Sequence, residues 1–230
     1  MTLPCKIFAL SAAIGLSLGS CSGAKQIKSH DSNSNHSVSM QEGPPGNETA
    51  PMSPVDEMAA IQHGTENAMG MGTGRDISDT WARKMIVHQK GVIRLADLLL
   101  KTSTQPEFRS VAASTIDHAR KNLRALGSAT ETSVFHGERF SQQFAGPQFD
   151  MFDAMTKASG KTFEATWAAK MTAFEHGAVS LAGVAVNQGD EGGAEELARQ
   201  IAAQQANDAE SMAKYAEIRD WRRHVAAGRN

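Results

Sequence analysis

The sequence predicts an all-α protein: a four-helix bundle assembled from two copies of one helical hairpin, with an unstructured tether before it. Three observations carry this. Beyond Ile77 apolar residues recur at alternating spacings of four and three, the period of helices that bury one stripe. The block from Thr80 to Ala96 returns 86 positions later with eight identities in seventeen. A lone hairpin cannot bury its own stripe, whereas two hairpins close one core.

Residues 1–20 read as a signal peptide. Lys6 supplies the positive charge, and the apolar run from Ile7 to Leu18 is long enough for export but short for a membrane span. Leu18-Gly19-Ser20-Cys21 looks like a lipobox, which makes Cys21 the expected lipidation site and the lipid bilayer an expected partner. Ser22 after it resembles the outer-membrane default, so the expected location is the periplasmic face of the outer membrane. A cleaved secretory peptide with an incidental cysteine is the competing reading. With Cys5 removed and Cys21 acylated, no thiol is left for a disulfide, and stability must come from packing. Loss of Lys6 leaves 22 basic against 25 acidic side chains with no long basic run, which argues against nucleic acid as a partner.

Residues 21–75 are rich in Ser, Asn, Gly, Pro and Gln, a composition that buries too little apolar surface to offset chain entropy. They read as a flexible tether. The segment also carries Met40, Met52, Met58, Met69 and Met71 with His30, His36 and His63, soft donors suited to copper. A plain spacer, or a short docking helix from Val55 to His63, is the alternative.

The bundle is expected over 76–226. Hairpin one, 77–127, begins with the seam Trp81, Met85, Val92, Leu95 and Leu99, in which His88 takes the missing place. Thr102 to Gln105 break it, and Pro106 suits the first turn of a return helix bearing Ala112, Ile116, Ala119, Leu123 and Leu126. Hairpin two, 162–220, matches Thr80-Trp81-Ala82 with Thr166-Trp167-Ala168, continues through Phe174, Ala178, Leu181 and Ala185, and turns at Gly189-Asp190-Glu191-Gly192-Gly193. Its return helix carries Leu197, Ile201, Asp208, Met212 and Tyr215. The crossover, 128–161, holds Phe135, Phe140, Phe144, Phe149, Met151, Phe152 and Met155, too apolar for a solvated loop, so it should contain a short helix covering an end of the core.

Polar residues on these faces are the candidate site. Met85 and His88 lie one turn apart on the seam, and Met171 and Glu175 are similarly placed on the third helix. Asp117-His118 and Glu175-His176 are neighbours whose side chains point about 100° apart, so one member of each pair faces a given site. Thioethers beside imidazoles, with no cysteine at hand, favour copper over zinc. For each histidine the competing reading is a buried ring satisfied by a polar neighbour, with Gln204, Gln205 and Asp208 available on the last helix. His136 and His224 read as surface residues.

The helix Met85-Ile86-Val87-His88-Gln89-Lys90-Gly91-Val92-Ile93-Arg94-Leu95-Ala96 is similar to the Met-Ile-x-His-His-x-Gly-Ala-Ile-x-Met-Ala helix of a known family. Ser159-Gly160-Lys161-Thr162-Phe163 leading into Glu175-His176, and Asp117-His118, resemble its acid-histidine pairs. This is the family of exported bacterial domains of unknown function with a ferritin-like four-helix fold, which includes periplasmic copper-binding CopM-type proteins. The resemblance spans about residues 77 to 217 and implies a ferritin-like bundle and copper as the metal. Gln89 stands where that helix has its second histidine, and Phe174 occupies the place of His88 in the second copy.

Beyond the signal peptide, enzymatic signatures are missing from the sequence: no Glu-x-x-His, Gly-x-Ser-x-Gly, phosphate-binding Gly-rich loop, His-Glu-x-x-His or Cys-x-x-Cys. The expectation is a non-catalytic envelope lipoprotein that binds or buffers copper through Met85, His88, Asp117, His118, Met171, Glu175 and His176. A structural or protein-interaction bundle is the alternative, and a redox enzyme with an unrecognised site comes third.

Overall fold

The computed structural model of the protein describes residues 51–130, 140–189 and 194–227, with side chains as far as residue 215. The signal peptide, Cys21, most of the Met/His tether, Phe135, His136 and the side chain of His224 lie outside the described residues. What is described is all-α: α1 (Pro54–Gly70), α2 (Ile77–Thr102), α3 (Pro106–Ala129), α4 (Gln142–Lys157), α5 (Phe163–Gln188) and α6 (Ala194–Ala227). Among these residues no helix is long and apolar enough to cross a membrane.

Local chemistry sets the helix starts. The Ser53 hydroxyl accepts from Asp56 N–H at 3.2 Å, with Pro54 in the first turn where its missing N–H costs nothing. Asp76 accepts from Asp79 N–H at 2.7 Å to open α2, and Thr162 from Ala165 N–H at 3.2 Å to open α5. Pro106 opens α3. The seam residues Trp81, Met85, Val92, Leu95 and Leu99 are all buried, as are Phe174, Ala178, Leu181 and Ala185, in one continuous core.

The tether reading is corrected between residues 54 and 70, where the chain is α1. Met58, Ile61 and Met69 enter the core, and Gln62 and Thr65 are buried with them. The crossover does contain the expected helix, α4, but this helix lies along α5 rather than over an end of the core, and it buries Phe144, Met151, Phe152 and Met155 while Phe149 stays outside.

These two helices are counterparts, so the repeated unit has three helices rather than two. Lys84 Nζ donates to the Met69 carbonyl at 2.7 Å and to Gln148 Oε1 at 3.0 Å. Lys170, 86 residues later, donates to the Met155 carbonyl and to Gln62 Oε1. Met155 is the counterpart of Met69, and Gln148 of Gln62, so each half gives the other the same bond across a twofold axis. Gly74 N–H and Gly160 N–H likewise each reach a threonine hydroxyl six residues on, both at 3.0 Å.

Helix directions follow from the pairings. Trp167 Nε1 donates to the Leu95 carbonyl at 2.8 Å, and His88 meets Phe174 seven residues further along each helix in opposite senses, so α2 and α5 are antiparallel. Phe108 against Tyr215 (ring centroids 6.0 Å apart) and His118 against Asp208 make α3 and α6 antiparallel as well. Glycine is required where α4 crosses α5, because a Cβ on Gly177 would lie 2.1 Å from Met151 Cγ. At the matching place on α2, a Cβ on Gly91 would lie 2.8 Å from Thr65.

Candidate functional site

His88 and Phe174 are 86-residue counterparts that meet each other, with ring centroids 3.9 Å apart. Only residues at the axis can do this. His88 Nε2 lies 3.2 Å from the Phe174 carbonyl, and since a carbonyl only accepts, this nitrogen carries the proton. Nδ1 is left as acceptor and faces Gln205 Nε2 at 3.5 Å. Complete burial pushes the imidazolium form down to about 4, against a smaller opposing effect from the Phe174 carbonyl. His88 is therefore a neutral ring at physiological pH with both nitrogens committed.

The neighbouring positions are polar in an uneven way. Glu175 is buried and holds its proton well above the usual carboxylate range, first because it is desolvated and second because Asp208 repels its charge. Its Oε2, Gln205 Oε1 and Gln89 Nε2 are buried without a hydrogen-bond partner. Gln89 is the counterpart of Glu175. The core thus carries a neutral imidazole, a neutral carboxyl and two amides between its apolar layers.

A second arrangement opens toward solvent between α3 and α6. His118 Nδ1 lies 3.0 and 3.2 Å from the two oxygens of Asp208, and Gln204 Nε2 lies 3.2 Å from Asp208 Oδ1. Gln204 Nε2 also lies 3.1 Å from His118 Nδ1, but Asp208 as a carboxylate only accepts and faces this nitrogen with both oxygens, so Nδ1 carries the proton and the Nε2 lone pair of the neutral ring is unspent among the described residues. Asp208 is itself shifted: burial raises it, while the charge of His118 and hydrogen bonds from His118 and Gln204 pull it back. The side chains are 35% and 14% exposed, so the ring is reachable while the carboxylate behind it is sheltered. His118 lines two hollows, one of about 320 Å³ bounded by Ser114, Asn207 and Tyr215, and one of about 120 Å³ beside Asn122 and Gln200.

The remaining sequence-predicted ligands are placed apart from these. Met85 and Met171 are buried in the core on counterpart positions, and Asp117 and His176 are exposed. In each acid-histidine pair one member faces inward: His118 for the first, Glu175 for the second. The seven candidates do not form one coordination set, and among the described residues no group of three His, Cys, Asp or Glu is placed to hold a metal ion. Of the tether residues, Met58 and Met69 are core, Met52 and Met71 are exposed, and exposed His63 sits 3.8 Å from Glu66.

The residue missing from the predicted ligand set is Asp208, legible only as a polar neighbour available to a histidine. Its 86-residue counterpart is Asn122. A carboxylate on the return helix, facing His118 where the other half has an amide, was the available signal.

A family profile described as "Domain of unknown function (DUF305)" matches residues 79–216. A crystal structure of a DUF305 fragment from Deinococcus radiodurans is similar at 16% sequence identity and a TM-score of 0.47, covering 62% of this chain and 96% of that one. No curated protein matches.

Proposed function

From the premise that the chain belongs to the DUF305 family of domains of unknown function, we propose that it is a non-catalytic, lipid-anchored envelope protein that binds a metal ion reversibly at His118. Cys21 is the proposed anchor, and the periplasmic face of the outer membrane the proposed location. The antiparallel pairing of α2 with α5 and of α3 with α6 supports reading these four helices as a ferritin-like bundle, to which α1 and α4 are added.

The observation that carries the metal reading is the His118 ring, fixed through Nδ1 by Asp208 with Nε2 left for a ligand. A carboxylate behind a histidine is the usual way a protein fixes the tautomer and raises the basicity of a metal-binding imidazole. Copper is the metal favoured, since one imidazole with open positions suits a borderline or soft ion that brings or finds further ligands. A site with so few protein donors exchanges its ion readily, which fits buffering or hand-over. His88 is a packing residue in this reading, because a metal at either nitrogen would have to displace a hydrogen-bond partner in a closed core.

A purely structural or interaction bundle is the second reading. It is favoured by Lys84, Lys170 and His88, whose polar atoms are used to join the two halves.

Competition titration of the mature protein with Cu(I) and Cu(II) separates these. His118→Ala should abolish binding at this site and Asp208→Asn should weaken it by about 10- to 100-fold, with His88→Phe close to wild type. Unchanged affinity in His118→Ala would reject His118 as the ligand, and no binding above that of an unrelated helical protein would leave the structural reading.

A further inference from the structure

We propose that the pocket bounded by α1, the start of α4 and Lys84 binds a small zwitterion, a molecule with a carboxylate and an amine a few atoms apart, as in a free amino acid. The inference begins with a mismatch between halves that otherwise exchange identical bonds. Gln62 Nε2 donates to Thr156 Oγ1 at 2.8 Å and lies 3.4 Å from the Phe152 carbonyl. The counterparts of Thr156 and Phe152, 86 residues earlier, are Gly70 and Glu66. Gly70 offers no hydroxyl to Gln148, the counterpart of Gln62, and a Cβ built on it meets nothing within 4 Å. Where Phe152 fills space in one half, the other has a carboxylate.

The outcome is a partly open pocket of about 400 Å³, a size usual for small-molecule sites, lined by Glu66, Gly70, Lys84, Ser141, Gln148 and Phe149. Three donors on its wall lack a full set of acceptors. Lys84 is 2% exposed, and its ammonium gives two of three N–H groups to neutral oxygens of Met69 and Gln148. Gln148 receives Lys84 through Oε1, and its Nε2 has lost the hydroxyl that Gln62 finds in Thr156. The Ser141 hydroxyl is buried with no partner. An ammonium, an amide N–H and a hydroxyl with protons to spare suit a carboxylate.

Glu66 on the same pocket repels a bare anion and attracts an amine, so a molecule with both charges matches the wall better than either alone. Phe149, 68% exposed, and Ala145 add apolar surface for the body of the ligand. Desolvation holds the Lys84 ammonium down at about 8, a strain that a bound carboxylate would relieve.

The test titrates glycine and L-leucine, with acetate and methylamine as controls, into isotope-labelled full-length chain, following the amides around Gly70 and Gln148. Saturable shifts there are expected for the amino acids, with acetate and methylamine weaker by about tenfold or more. Glu66→Gln should bring the amino acids down to the acetate level. Glu66→Phe with Gly70→Thr, which gives the first half the groups the second already packs, should abolish the shifts. No saturable shift with wild type, or binding that survives the pocket-filling pair, overturns the site. Acetate binding as well as glycine overturns the zwitterion as its ligand.

Discussion

Compare residues 54–129 with residues 140–215, position by position at the 86-residue offset. Trp81 and Trp167, Lys84 and Lys170, Met85 and Met171, Gly91 and Gly177, and Leu95 and Leu181 are the same residue in both halves, and those with large side chains are buried or joined to the opposite half. His88 faces Phe174, while Gln89 becomes Glu175, Ala119 becomes Gln205, Asn122 becomes Asp208, Glu66 becomes Phe152 and Gly70 becomes Thr156. Matched pairs build helix crossings and the exchange across the axis. Unmatched pairs hold the neutral histidine, the orphaned amides, the His118 groove and the Lys84 pocket. In a duplicated fold, divergence between the copies points to candidate chemistry more directly than polarity does.

The largest effects should come from the matched tryptophans. Trp167→Ala and Trp81→Ala should each cost about 3–5 kcal/mol in urea denaturation. They should not cost the same: Trp167 Nε1 donates to Leu95, whereas Trp81 Nε1 is buried without a partner. The loss at Trp167 should be greater by about 1 kcal/mol. Equal losses, or a greater one at Trp81, would break the comparison at its best-matched point.

The unmatched core positions should give smaller effects that depend on pH. His88 titrates near 4 in the folded protein against 6.5 ordinarily, so the unfolded chain takes up the proton first as pH falls. Its contribution is complete above about pH 6.5 and is lost on the way down to about pH 4, at most about 3 kcal/mol. Glu175 has the opposite sign. Its folded value is raised, so above about pH 4.5 the unfolded chain ionises while the folded one keeps its proton, and stability falls as pH rises. Glu175→Gln should therefore raise thermal stability at neutral pH relative to pH 4, and His88→Phe should remove the acid-side loss. Chemical denaturation from pH 4 to 8 checks both signs.

Much of the helical core was legible from periodicity, because Trp81, Met85, Leu95, Leu99 and their counterparts carry large apolar side chains at regular spacing. α1 was legible only as the alternative reading of a docking helix from Val55 to His63, because Pro54 to Gly70 includes two glycines and follows a polar stretch. Its match to α4 rests on Ala59, Gln62, Ala68, Met69 and Gly74, five identities in the 23 positions from 54 to 76. Two of those accept lysine bonds, Gln62 from Lys170 across the axis and Met69 from Lys84 within its own half, which becomes clear only once Lys84 and Lys170 are placed. For the site, the sequence indicated that one member of each acid-histidine pair faces inward. It did not tell that His88 closes on Phe174 while His118 opens on a groove, since that depends on which helix lies opposite each ring.

His118→Ala should change stability least, by about 1 kcal/mol or less, because the ring is 35% exposed and its pair with Asp208 is partly screened by solvent. The most direct test of the proposed function is therefore on the ring itself. Imidazole nitrogen resonances of the intact mature protein can be followed as Cu(I), which is diamagnetic, is added without oxygen. A shift at His118 Nε2 with His88 unchanged is the expected result; a shift at His88, or none at His118 while copper binds, would contradict it.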